Sequence, residues 1–207
     1  MKSSILQERK NREKQARIQT ILAAALKVFS SQGYHGTSMD AVAEAAELGK
    51  ATLYYYFKSK DELLLAILEN GVHEFFASLE ERWKGLTDPI EKLETIPYVG
   101  ADFFYRHPDY FKLYHYLTAH PVLRKRAFNR LHPLIAEKVQ RVQQLFIQAI
   151  AEKRIEPLPV EELTEIFGSL VMGMGLFTHP PVTRKSLHRK AQLILHIFLN
   201  GIRKQSE

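Results

Sequence analysis

The chain has 207 residues, 45% hydrophobic, 11% aromatic and 25% charged, a balance that suits one large domain or a small module on a larger body and excludes general disorder. The absence of cysteine removes disulfides, thiolate metal sites and cysteine nucleophiles, and no stretch approaches the roughly 18 apolar residues of a membrane span or the apolar core of a signal peptide, so a cytoplasmic protein with no membrane partner is expected. The net charge of +6 is uneven: residues 1–60 hold ten Lys and Arg against five Asp and Glu, the remainder 19 against 18, which turns a basic N-terminal part toward a polyanion unless it is simply a solvated face.

Helical periodicity runs from end to end and nothing alternates like a strand, so the expected fold is all-α, with an N-terminal three-helix module at 1–58 and a larger helical body at 59–207. A basic, polar lead-in before about Ile18 is expected to be partly disordered. The first helix carries Ile18, Ile21, Leu22, Ala25, Leu26 and Phe29 on one face and is expected to end near Ser31, with Gly33 as its left-handed terminator. Thr37-Ser-Met-Asp40 reads as a capping box for a short helix from about Ser38 to Ala46. Glu47-Leu-Gly49 is a tight turn whose glycine tolerates positive φ, and Lys50 to Phe57 forms a second short helix. Two short helices about such a turn make the helix-turn-helix pattern.

Ser59-Lys-Asp-Glu62 is a second capping box, opening a long helix through Leu63, Ile67, Phe75, Leu79 and Trp83 to Gly85. Asp88-Pro89-Ile-Glu91 starts the next helix, which Pro97 is expected to kink or break. His107-Pro108 and His120-Pro121 bound a short aromatic helix, and the long helix after it is expected to be interrupted near Pro133. Two last helices, about Val160 to Phe177 and Leu187 to Ile202, flank the breaker His179-Pro-Pro181. Their wide apolar stripes, with Leu163, Phe167, Leu170 and Met174 on one and Ile194, Phe198 and Leu199 on the other, suit the interface of a homodimer built as an intermolecular four-helix bundle, or else plain core packing.

The stretch from Gly33 to Leu64, GYHGTSMDAVAEAAELGKATLYYYFKSKDELL, resembles the DNA-binding signature of the tetracycline-repressor (TetR) family: Gly33, Gly36-Thr37, Val42-Ala43, Ala46, Thr52-Leu53-Tyr54, Phe57 and Lys60 fall at its spacings. It departs at the turn Glu47-Leu48-Gly49, at Ala51 where glycine is common, and at Tyr56 where histidine is frequent, differences that bear on operator sequence rather than fold. The resemblance implies a regulator with no catalytic role and no cofactor, most simply a repressor that leaves a palindromic double-stranded operator when a small effector binds. The residues agree with it independently. At 100° per residue Leu53 and Phe57 share the buried face of the third helix, while Ala51, Thr52 and Tyr55 project the other way, toward base edges. Lys50 is placed to reach guanine or phosphate, and Thr37, Ser38, Tyr54, Tyr56, Lys58 and Lys60 to meet phosphates. Arg9, Lys10, Arg12, Lys14 and Arg17 either enter a flanking minor groove or remain a solvated lead-in.

Aromatic residues concentrate between Tyr98 and Tyr116, around helix breaks. The resemblance implies an effector cavity in this body, with Phe104, Phe111, Tyr114, Phe146, Phe167 and Met174 as candidate walls for a hydrophobic or aromatic molecule such as a fatty acyl chain; aromatic core packing is the alternative. Effector binding would then move the Ser59 to Trp83 helix and alter the spacing of two reading heads that must sit about 34 Å apart. Two rival readings stand beside this one. A helix-turn-helix DNA-binding protein without an effector would have a filled C-terminal core. A helical-bundle enzyme would draw on the nine histidines, yet there is no HExxH or Glu-x-x-His pair, and His107, His115, His120 and His132 read as polar boundary residues.

Overall fold

Neither glycine nor proline interrupts residues 2–32, and Arg9 pairs with Glu13 one turn on. In the computed structural model, which describes residues 2–176 and 182–203 without the side chains of 2–5, 115, 118 and 176, the lead-in is accordingly the start of α1 (Lys2–Gly36) rather than partly disordered. Good helix formers extend a helix already nucleated by its packed second half, where Ile21 and Ala25 are fully buried. The chain turns at Gly33, with φ 70° and ψ 173°. That region is open almost only to glycine and is not the left-handed helical terminator expected.

Helix α2 (Met39–Ala45) is capped by Ser38, whose hydroxyl accepts from the Ala41 amide at 3.0 Å. The expected cap, Thr37, instead buries its side chain and donates to Gly33 O at 2.7 Å, and Asp40 turns outward to Lys50 at 2.8 Å. The turn after α2 also differs from expectation: positive φ falls on Glu47, at 55°, while Gly49 takes an extended conformation as the cap of α3 (Lys50–Tyr56). Ser59 then caps α4 (Lys60–Trp83), accepting from Glu62 N at 3.1 Å while the Glu62 carboxylate accepts from Lys58 N at 2.8 Å. Gly85, with φ 79°, follows the end of this helix.

Asp88 caps α5 (Pro89–Arg106), accepting from the Ile90 and Glu91 amides at 2.7 and 3.0 Å. The helix runs on through Pro97, because the hydrogen bond missing there is outweighed by the burial of Ile90, Leu93, Ile96, Phe103 and Phe104 along the same element. After α6 (Pro108–Ala119), α7 (Pro121–Ala151) likewise continues through Pro133, which is exposed, so water can satisfy the carbonyl that the ring leaves without a donor. Helices α8 (Val160–Leu176) and α9 (Arg184–Ile202) complete the described elements, the latter held by a Thr183–Ser186 capping box. The helix end expected at Phe177, the breaker at 179–181 and the His115 side chain lie outside the described residues.

The chain divides into two units. Unit 1, residues 1–71 and 112–127, is built on Ile21, Phe29, Val42, Leu53, Phe57, Leu63 and Ile67, all buried. Unit 2, residues 72–111 and 128–207, packs α5 against α8 and α9 around Leu93, Phe146, Phe167, Phe198 and Leu199.

Candidate nucleic-acid interface and effector region

Helix α3 is anchored from one side only. Leu53 is fully buried and Phe57 nearly so, while Lys50, Ala51, Thr52 and Tyr55 are exposed, Tyr55 at 69%. Its outer face is therefore a small residue, a hydroxyl and a phenol ring with no protein over them, the set that sequence reasoning assigns to base edges. Tyr54, 37% exposed, and the half-buried Tyr56 flank this face, and the Tyr55 and Tyr56 rings meet edge-on with centroids 5.1 Å apart. Lys58 folds back to donate to Tyr54 O at 2.9 Å, closing the C-terminal end of α3.

Two residues assigned to phosphate contact do other work within the protein. Thr37 is buried as described. Lys60 donates to Tyr34 O at 2.6 Å and Thr37 O at 2.9 Å, with its ammonium 4.4 Å from the Tyr34 ring centroid, so it ties the tail of α1 to the start of α4. Ser38 and Lys58 stay exposed beside α3, and Lys50 is exposed with its ammonium on Asp40.

Sequence reasoning missed a cluster behind the module. Tyr34 donates to Asp61 and stacks on Tyr116 at 4.6 Å, and Arg126 reaches the same carboxylate at 2.8 Å. Burial, and then the Asp61 hydrogen bond, push the Tyr34 phenol above its ordinary pKa. His35 meets Tyr116 edge-on, and His120 stacks on Tyr116 at 3.9 Å. Aromatic residues as far apart along the chain as Tyr34 and Tyr116 carry no periodic signal, so nothing in the chain order could have announced this set.

Residues 21–67 match the family model of bacterial regulatory proteins, tetR family. Over this stretch the chain is similar to the TetR family of regulators. It is 31% identical over 120 residues to the transcriptional repressor NicS of Pseudomonas putida, a match covering 58% of this chain and 56% of NicS. The chain spans between about a third and just over half the length of the curated relatives it matches. Among solved structures it is similar in fold to the fatty acid degradation regulator FadR of Bacillus halodurans, with a TM-score of 0.74 at 16% identity over 91% of this chain and 97% of that one. A second is AibR in complex with isovaleryl coenzyme A and operator DNA, with a TM-score of 0.69 at 23% identity, covering 88% and 98%.

In unit 2 the candidate effector residues separate into two groups. Phe104, Phe111 and Met174 meet around two glycines: a Cβ on Gly175 would run into the Phe111 ring and lie 2.9 Å from Phe104, and one on Gly100 would lie 2.9 Å from Val171 and 3.5 Å from Met174. Phe146 and Phe167 instead join Phe198 in a packed, buried cluster, Phe167 and Phe198 stacked at 4.9 Å. Tyr114 is half-buried and belongs to unit 1. An open hollow of about 310 Å³, lined by Ser78, Glu81, Arg82, Val99, Asp102 and Arg106, is charged rather than apolar. Beside it Asp102 receives Arg184 at 2.7 Å and His188 at 2.7 Å, and the Arg184 hydrogen bond is the main reason its carboxyl is held down to about 2.

The residues expected at a dimer interface differ in their exposure within one chain. Leu163, Phe167, Met174, Phe198 and Leu199 are already buried in their own core. Of those named, Leu170 is 38% exposed and Ile194 is half-buried. The uncovered large apolar residues of these two helices are Ile166, Leu170 and Met172 on α8 and Leu193 and Ile197 on α9, at 54%, 38%, 40%, 55% and 63% exposure. Among the described residues no group of three or more metal-ligating side chains converges, and no helix is long and apolar enough to cross a membrane.

Proposed function

We propose that this chain is a ligand-responsive transcriptional regulator that reads operator DNA with α3 as a homodimer and changes its hold on the operator when a mostly apolar effector enters unit 2. The observation that carries the reading is the outer face of α3: Ala51, Thr52 and Tyr55 stand clear on a helix fixed from behind by Leu53 and Phe57, the geometry that lets a recognition helix enter a major groove. Lys50 and Ser38 border that face, and in this reading Thr37 and Lys60 hold the module together rather than touch DNA. Catalysis has no part in it, in keeping with the regulators among its relatives.

Repression is supported by the repressor NicS, and an acyl-bearing effector by the isovaleryl coenzyme A in the AibR complex and by the fatty acid degradation regulator FadR. Phe104, Phe111 and Met174 are the proposed apolar wall, with Gly100 and Gly175 supplying the room that side chains would otherwise occupy. Helix α6 carries Phe111 in unit 2 and Tyr116 in unit 1, so displacement of Phe111 by a ligand would be felt at the Tyr34 stack and hence at the start of α4. For the homodimer, Ile166, Leu170, Leu193 and Ile197 are the proposed contact residues. A gel shift on the DNA upstream of the chain's own coding sequence, with and without straight- and branched-chain acyl-coenzyme A, tests the whole. A saturable shift reversed by one of these compounds is expected, and a shift no stronger than on unrelated DNA would reject it.

A further inference from the structure

The first half of α1 has no evident structural purpose. Residues 6–17 are exposed throughout, and the helix first packs beyond them, at Ile21, with Gln19 bonded to Asn70 of α4 at 3.0 Å. From Lys2 to Arg17 it carries six Lys and Arg against two Glu. A helix that buries nothing must be kept for what it meets.

Its charges are also ordered. Lys10, Lys14 and Arg17 follow one another at i, i+4 and i+7, and the same line continues into Ile21, Ala25 and Val28, the side of α1 that faces the module's core. The stripe therefore overhangs the side on which the rest of the module lies. These three residues have no ion-pair partner among the described residues, whereas Arg9, on another face, is paired with Glu13 at 2.8 Å. Length and girth decide what such a helix can hold. Sixteen helical residues span about 24 Å, against one phosphate charge per roughly 1.7 Å of duplex axis, enough for several contacts. With side chains a helix is about 10–12 Å across, too wide for a minor groove of about 6 Å, so the flanking minor-groove contact open to a flexible arm is closed to this one.

We propose that Lys10, Lys14 and Arg17 form a phosphate-binding stripe that grips the DNA backbone beyond the base pairs read by α3, adding sequence-blind affinity. The inference rests on the DNA-binding reading above, and its test keeps the two apart. Binding of the full chain to a mixed-sequence duplex of about 40 base pairs is measured over a series of salt concentrations and compared with Lys10→Ala/Lys14→Ala/Arg17→Ala and with Arg9→Ala/Arg12→Ala, which empties the other faces. The triple variant should lower the slope of log affinity against log salt by about 0.9 for each phosphate that the stripe neutralises. Its melting temperature should not move, since alanine favours helix and nothing packs on the arm. The double variant should keep most of the slope. Equal slopes for all three proteins, or equal decreases in both variants, overturn the stripe. If the unaltered chain fails to bind duplex at all, the DNA-binding reading falls with it. Adsorption to phosphatidylglycerol vesicles that only the triple variant loses, with an unchanged DNA slope, would give the arm to a membrane surface instead.

Discussion

Asp102 shows how a single side chain sets a stability window. Its carboxyl is held below the ordinary carboxylate range, to about 2, first by the Arg184 hydrogen bond and then by His188, against the opposing effect of burial. A depressed carboxylate pKa contributes stability at pH above the unfolded value near 3.9, and the contribution is lost as pH falls through the folded value. Asp102→Asn should therefore melt earlier than the unaltered chain at neutral pH, with the two melting curves converging between about pH 4 and pH 2. A constant gap across that range would mean that the carboxylate is not what holds Arg184 and His188. At the same scale Thr37 and Lys60 have partners within the protein that residue type alone does not reveal. A hydroxyl and an ammonium near a helix-turn-helix suit phosphates, and here they also donate to Gly33 O, Tyr34 O and Thr37 O around the end of α1.

At the scale of elements, Phe104 of α5 and Phe111 of α6 lie close against Gly175 of α8. Gly175→Ala puts a methyl where the Phe111 ring stands, so it should cost about 1–3 kcal/mol in thermal or urea unfolding and shrink the range of effectors that act. Unchanged stability would show that the rings yield freely and that the two glycines do not shape the site. Most elements were legible in the sequence because each rests on local rules: Leu53 and Phe57 one turn apart, Asp88 before Pro89, Gly85 after Trp83. The exceptions depend on surroundings. Pro97 and Pro133 look like breaks on paper, and whether a proline ends a helix turns on burial in one case and water in the other. The polar lead-in became helix because the packed half of α1 continues into it.

For the whole molecule, the apolar stripes of α8 and α9 were visible as stripes, but sequence could not divide them between the chain's own core and a second copy. In the structure Ile166, Leu170, Leu193 and Ile197 are uncovered while Phe167 and Phe198 stack inside, and the uncovered set is the one proposed to meet a second copy. Leu193→Glu/Ile197→Glu should thus convert a dimer into a helical, folded monomer by light scattering and circular dichroism, at most a small change in stability following from sites already exposed. A variant still dimeric would move the interface elsewhere.

The proposed regulation as a whole depends on α3 reading bases with the side that Leu53 and Phe57 leave free. The affinity of Tyr55→Ala for the upstream operator and for random DNA of equal length, measured at one salt concentration, addresses this most directly. Removal of a base contact worth about 1–3 kcal/mol should lower the operator-to-random ratio by roughly 5- to 150-fold while random-DNA binding stays nearly constant. A ratio that does not move, whether both affinities fall together or neither changes, would contradict it.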